Sequence, residues 1–156
     1  MDVQGENASF RPLGRHLVRI EGDTIWVRYH GSVTVAELAE LFELFDSVYQ
    51  EYGYAMCLGD ATHSGIPSAE ARRYQADRLR LRVFPSYTAL YGANPVVSAI
   101  ASLTQRAIEM VTKKPTPLSF HRSEAAARER LERERPQLQI SAHPRSERIR
   151  MQPEAR

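Results

Sequence analysis

Residues 54–59 (YAMCLG) form a short, continuously apolar run between Gly53 and Asp60, and this run most constrains the fold. It is far shorter than the roughly 20 residues of a membrane span, and it lacks the alternation of a strand with one wet face. Such a segment is stable only when both faces are covered, as in the central strands of parallel sheets. A parallel neighbour requires a crossover helix, and the chain supplies one immediately upstream. Thr34-Val35-Ala36-Glu37 has the form of a capping box. Leu38, Leu41, Phe42, Phe45, Val48, Tyr49 and Tyr52 then recur at steps of three and four, with Glu37, Glu40, Glu43, Asp46 and Gln50 on the other side, until Gly53 ends the pattern.

Before that helix, residues 16–23 (HLVRIEGD) alternate apolar and polar, and Gly22-Asp23 leads into a second β-rich run at 24–30 (TIWVRYH), which predicts a β-hairpin. After the apolar run, Pro67-Ser68-Ala69-Glu70 opens an arginine-rich surface helix with a weak stripe through Tyr74, Leu79, Leu81 and Val83. Residues 87–91 (YTALY) read as a strand. Asn94-Pro95 then starts a helix whose expected core face is Val97, Ile100, Leu103, Ala107, Ile108 and Val111. Residues 118–121 (LSFH) form a last short strand, and Ser123 caps a helix expected to end near Arg135, before Pro136. The result is an α/β domain over residues 13–136: a mixed, mostly parallel sheet with an N-terminal antiparallel hairpin strand and helices packed on it. Residues 1–12 are expected to be a flexible N-terminal arm. Residues 137–156, rich in proline and charge, are expected to be a flexible tail.

The chemistry this sequence can support is narrow. With one cysteine, Cys57, no intramolecular disulfide can form, and the N-terminus shows no basic segment followed by an apolar run, so a cytoplasmic protein without a membrane span is expected. Lys and Arg number 21 against 19 Asp and Glu, a balance that does not call for nucleic acid. The arginines of 122–135 each have an acidic neighbour within a turn, as on a solvated helix face. His16, His30, His63, His121 and His143 are dispersed without zinc spacing, and no phosphate-cradling glycine motif occurs, so neither metal nor cofactor is expected. The most promising position is residues 60–65, Asp60-Ala61-Thr62-His63-Ser64-Gly65, read as a loop after a parallel strand, where α/β sheets usually bind ligands. An acid, an imidazole and two hydroxyls lie together there, yet no nucleophile elbow surrounds Ser64, so no catalytic residue is assigned. Asp60 and Thr62 are also ordinary turn formers.

Over about residues 13–138 the pattern resembles the STAS domain, found in sulfate transporters and anti-sigma-factor antagonists, in its divergent stand-alone bacterial form. The resemblance rests on the hairpin ending Trp26-Val27-Arg28-Tyr29-His30-Gly31, the helix from Thr34, the strand Met56-Cys57-Leu58-Gly59-Asp60, the pair Ser64-Gly65, and Phe120-His121-Arg122-Ser123-Glu124-Ala125-Ala126-Ala127. It implies a non-enzymatic regulatory module whose docking is controlled by phosphorylation after the central strand. Asp60 would be the strand-terminal aspartate, Ser64 the switch residue and Thr62 the second candidate, with His63 and Gly65 supporting the loop. This chain inserts Ala61-Thr62-His63 between the aspartate and the serine. The implied partner is a protein, a kinase or an anti-sigma-like regulator, with room for a homodimer. The alternative is a carrier of a small molecule or lipid in a cleft between the sheet and the region 61–86. A hydrolase using Asp60, His63 and Ser64 comes last.

Overall fold

The computed structural model describes residues 9–81 and 85–142. The chain runs β1 (Arg11–Leu13), β2 (His16–Glu21), β3 (Thr24–Gly31), α1 (Val35–Tyr52), β4 (Ala55–Ser64), α2 (Ala69–Leu81), β5 (Ser86–Tyr91), α3 (Pro95–Thr112), β6 (Leu118–His121) and α4 (Glu124–Ala142). The six strands form one sheet whose spatial order is the sequence order. β1, β2 and β3 are an antiparallel meander, and β3 to β6 are parallel. The expected α/β architecture is borne out, including the hairpin that turns at Gly22-Asp23, where Glu21 pairs with Thr24.

Three successive parallel steps in one direction, each right-handed, put their crossover helices on one face of the sheet. α1, α2 and α3 lie there, and α4 covers the other face. The apolar run of β4 serves both layers. Ala55 and Cys57 face α1 together with Ile25, Val27, Phe45 and Val48, whereas Tyr54, Met56 and Leu58 pack with Trp26, Tyr87 and Ala89 under Ala127, Leu131 and Leu138 of α4. Period two splits one continuous apolar segment between two cores.

α1 begins as its sequence predicts. The Thr34 hydroxyl accepts the Glu37 N–H at 3.2 Å, and the Glu37 carboxylate accepts the Thr34 N–H at 2.8 Å. Glu37 departs from its expected place on the solvent side, because it is buried and the same carboxylate also accepts the Arg15 N–H at 3.3 Å and His16 Nε2 at 3.0 Å. Nδ1 of the buried His16 ring accepts the His30 N–H at 3.0 Å, which leaves the ring proton on Nε2, facing the carboxylate. Gly14, at φ +57°, sits where a Cβ would strike the Glu37 side chain.

Both chain ends depart from expectation. Arg11–Leu13 pairs with β2, and Phe10 stacks with the Arg19 and Arg28 guanidinium groups at 4.7 and 4.3 Å, so the arm expected over 1–12 is ordered from its last residues; residues 1–8 lie outside the described part. α4 runs through Pro136 to Ala142 instead of ending near Arg135. Proline forfeits one helix hydrogen bond, and tertiary contacts offset that loss. Arg135 holds Asp23 with two hydrogen bonds of 2.8 and 3.1 Å, Gln139 donates to the Tyr54 hydroxyl at 3.4 Å, and Leu138 is buried. The rest of the expected tail, residues 143–156 with His143, lies outside the described part.

Two outcomes follow. Leu138→Ala should cost about 2–4 kcal/mol as a large-to-small change in the core, and the exposed neighbour Gln137→Ala within about 0.5 kcal/mol, measured by urea unfolding. The second concerns acid. Burial pushes the Glu37 carboxyl up, but the bonds from Thr34, Arg15 and His16 outweigh it and bring its pKa from 4.5 down to about 2. A carboxylate depressed in the folded state contributes stability that is present above its unfolded pKa and is lost as pH falls through the folded one. The melting-temperature advantage of the wild type over Glu37→Gln should therefore be full at neutral pH and shrink from about pH 5 downward; an advantage independent of pH would contradict this assignment.

Candidate functional site

The segment expected to be a loop, residues 60–65, is mostly strand. β4 continues to Ser64, paired along β3, and the exposed Thr62 and His63 side chains do not interrupt the ladder. The pairing shifts midway. Arg28 is opposite Asp60, yet His30 is opposite His63, so β4 carries one extra residue, a β-bulge. Asp60 organises it: Oδ1 accepts the Thr62 N–H at 3.0 Å and the Thr62 hydroxyl at 2.6 Å. Burial raises the Asp60 pKa, but these two bonds and the nearby Arg28 guanidinium outweigh it and hold the carboxyl below its ordinary value.

The bulge distributes the expected site residues over two faces. Ala61 and Ser64 line the space beneath α1–α3 together with Gly65, whereas Thr62 and His63 are exposed, and His63 stacks on His30 at 6.1 Å. The Ser64 hydroxyl donates to the Gly65 carbonyl at 3.2 Å. Among the described residues no hydrogen bond joins Ser64 to His63 or His63 to Asp60, so the three do not form a relay. On the α4 side, the Tyr91 hydroxyl donates to Glu124 at 3.3 Å, and burial together with the Asp60 and Glu124 charges pushes this phenol up to about 12.

A cavity of about 180 Å³ separates the sheet from α1, α2 and α3. This is far more than the roughly 15 Å³ that a single enclosed water needs, and well beyond a packing defect. Its floor is the α1-facing side of β4, β5 and β6: Cys57, Thr88, Leu90, Leu118 and Phe120. The last four are only half-buried, while Tyr87 and Ala89, on the opposite side of β5, are fully covered by α4. The cause lies in the helices above. α2 buries a single residue, Ala71, and α3 a single residue, Ile108, so neither closes down on the sheet. Tyr74 and Leu79 of the expected α2 stripe are half-buried, Leu81 is exposed, and Val83 lies outside the described residues.

α3 is rotated from its expected orientation. Leu103 and Val111, assigned to the core, are 64% and 66% exposed. The side facing the cavity is Val97, Ile100, Ala101, Thr104, Gln105 and Ile108. These positions keep the i, i+3, i+4, i+7, i+8, i+11 spacing of a buried stripe. Val97, Ile100 and Ile108 belong to the expected face, whereas Ala101, Thr104 and Gln105 stand in place of Leu103, Ala107 and Val111, and the polar pair is the signal that could have revealed a cavity. Thr104 donates to the Ile100 carbonyl at 3.0 Å, and Gln105 Nε2 reaches the Thr116 and Leu118 carbonyls at 3.5 and 3.4 Å. The buried Thr116 hydroxyl, also in the wall, has no hydrogen-bond partner. Burial drives the Tyr29 phenol, another wall group, above its usual range. Among the described residues no group of three or more His, Cys, Asp or Glu could hold a metal ion, and no helix is long and apolar enough to cross a membrane.

Gly92 ties the bulge to β5. It has φ +76°, and a Cβ there would lie 2.4 Å from the Thr62 hydroxyl. Gly92→Ala should destabilise the fold by about 1–3 kcal/mol in urea unfolding. The cost should be smaller in a Thr62→Ala background, where the obstructing hydroxyl is gone; equal costs in both would show that the bulge and β5 are not in contact.

Comparison with protein-family models finds no match to this chain, and comparison with curated proteins finds none either.

Proposed function

We propose that the protein binds a small apolar or amphiphilic molecule in the cavity between its sheet and α1–α3, as a carrier or ligand-responsive module. The cavity itself carries this reading. Its wall is mostly apolar, and an apolar occupant covering that surface would contribute about 25 cal/mol for each Å² removed from water. The roof suits entry, since α2 and α3 each hold the molecule with one buried side chain. Elements with few buried contacts open at low free energy.

A second reading is the regulatory module that resembles an anti-sigma-factor antagonist, switched by phosphate on Thr62 or Ser64. The exposure of Thr62 favours it. Against it stand the Asp60 carboxylate, which already holds the Thr62 hydroxyl and would repel a phosphate, and the half-buried position of Ser64 in the cavity wall.

Native mass spectrometry of the full chain, purified without detergent, tests the first reading. The wild type should retain an adduct of small-molecule mass, and Ala101→Phe, which fills the cavity from α3, should lose it while melting at or above the temperature of the ligand-free wild type. An adduct retained by Ala101→Phe would move the site elsewhere. A phosphorylated Thr62 or Ser64 in protein incubated with lysate and ATP would favour the switch.

A further inference from the structure

Building on the reading of the cavity as a ligand site, we infer that its ligand is a single-chain amphiphile with one carboxylate, the chain lying along β5 and β6 and the carboxylate meeting Arg72 of α2.

The shape argues for a chain. The cavity wall includes Ser64 and Gly65 where β4 ends, and Ser86 and Thr116 just where β5 and β6 begin. Ser86 is paired with Ala55, nine positions before Ser64 along a strand with one bulged residue. At about 3.3 Å per residue the cavity therefore extends roughly 25 Å along the strands. A volume of about 180 Å³ drawn out over that length suits a flexible chain. The middle is apolar, with Phe42, Phe45, Leu79, Leu90, Ile100 and Phe120 in its wall.

Charge argues for the head. Arg72 is the single charged side chain among the described residues of the wall, and it lies in the first turn of α2, which begins five residues after β4 ends at Ser64. It is half-buried, and its guanidinium makes no hydrogen bond or ion pair with any described residue. Two acids of α1 and α2 are engaged with other arginines, Asp46 with Arg78 at 3.5 Å and Asp77 with Arg80 at 3.6 Å. A half-buried guanidinium beside an apolar channel is suited to an anion, and its planar fork matches a carboxylate. One cation balances one charge, whereas a phosphate brings nearly two. At the far end, the unpartnered Thr116 hydroxyl marks where the wall turns polar and the chain stops.

Calorimetric titration of the full-length protein with dodecanoate, dodecanol and dodecyl phosphate, each below its micellar range, tests this. Dodecanoate should bind at least about tenfold more tightly than dodecanol, the range of one charge-assisted hydrogen-bonded pair. Arg72→Gln should abolish that preference while leaving dodecanol affinity unchanged, and Arg72→Lys should restore part of it. Arg73→Gln, on the exposed neighbour, should change nothing, and Ala101→Phe should abolish binding of every chain. Circular dichroism melts establish that each variant folds. Equal affinity of the wild type for dodecanol and dodecanoate, a preference that survives Arg72→Gln, or tighter binding of dodecyl phosphate would each overturn the carboxylate inference and leave the cavity as the ligand site. Failure of all three chains to bind the wild type would overturn both.

Discussion

The handedness of the strand connections is the constraint on which the rest of this structure depends. Because β3, β4, β5 and β6 stand in sequence order and each crossover is right-handed, three helices must share one face and only α4 is left for the other. The two layers then meet different fates. α4 presents Ala127, Leu131 and Leu138 to Trp26, Tyr54 and Met56 and packs closely. On the crowded face α1 buries Leu41, Phe45 and Val48 against β3 and β4, but α2, where seven of the residues 69–81 are charged or carry an amide, and α3, with Thr104 and Gln105 turned inward, stand off the sheet. The cavity is thus a product of topology and of a local shortage of apolar side chains.

A carboxylate anchors the dense end of that face. Glu37 gathers the N–H groups of Thr34 and Arg15 and the imidazole of His16, and so joins the β1–β2 turn, the end of β3 through His30, and the start of α1. A buried charge is tolerable because every bond it accepts stabilises its ionised form. With α1 fixed at this end and at Gly53, where the chain turns at φ +77° into β4, the first wall of the cavity is rigid. The mobile degrees of freedom lie with the helices that follow.

Local signals made most of the fold legible. The Thr34 capping box, Asn94-Pro95, the Gly22-Asp23 turn and the period of α1 all speak through neighbours in sequence, and each appears where the residues place it. What escaped depended on distant partners. Pro136 is a local stop signal, overridden by Asp23 and Tyr54 more than eighty residues away. The polarity of residues 60–64 suggested a loop, but strand pairing with β3 absorbs them. The orientation of α3 was misread because an apolar stripe and a cavity-lining stripe differ by only a fraction of a turn, and the second contains a threonine and a glutamine. Of the candidate site, Ser64 and Gly65 were noticed for other reasons. Arg72 was visible merely as one arginine in a basic helix, since nothing in its neighbours reveals that it lacks an acid.

The ion pair between Asp23 and Arg135 spans 112 residues. Its consequence is for the order of assembly. Trp26, Met56 and Leu58 are made early and are sealed only by a helix whose last buried side chain is Leu138. While the chain is being synthesised, the β3–β4 pair can form and receive α1, yet its other surface stays bare until α4, as far as Leu138, has left the ribosome. Closure by α4 after the sheet is made leaves that surface exposed to misassociation in the interval. The arginines stacked on Phe10 and Trp26 bring charge to that surface from the first hairpin itself, and charged residues on an uncovered sheet discourage neighbouring chains from adding to it.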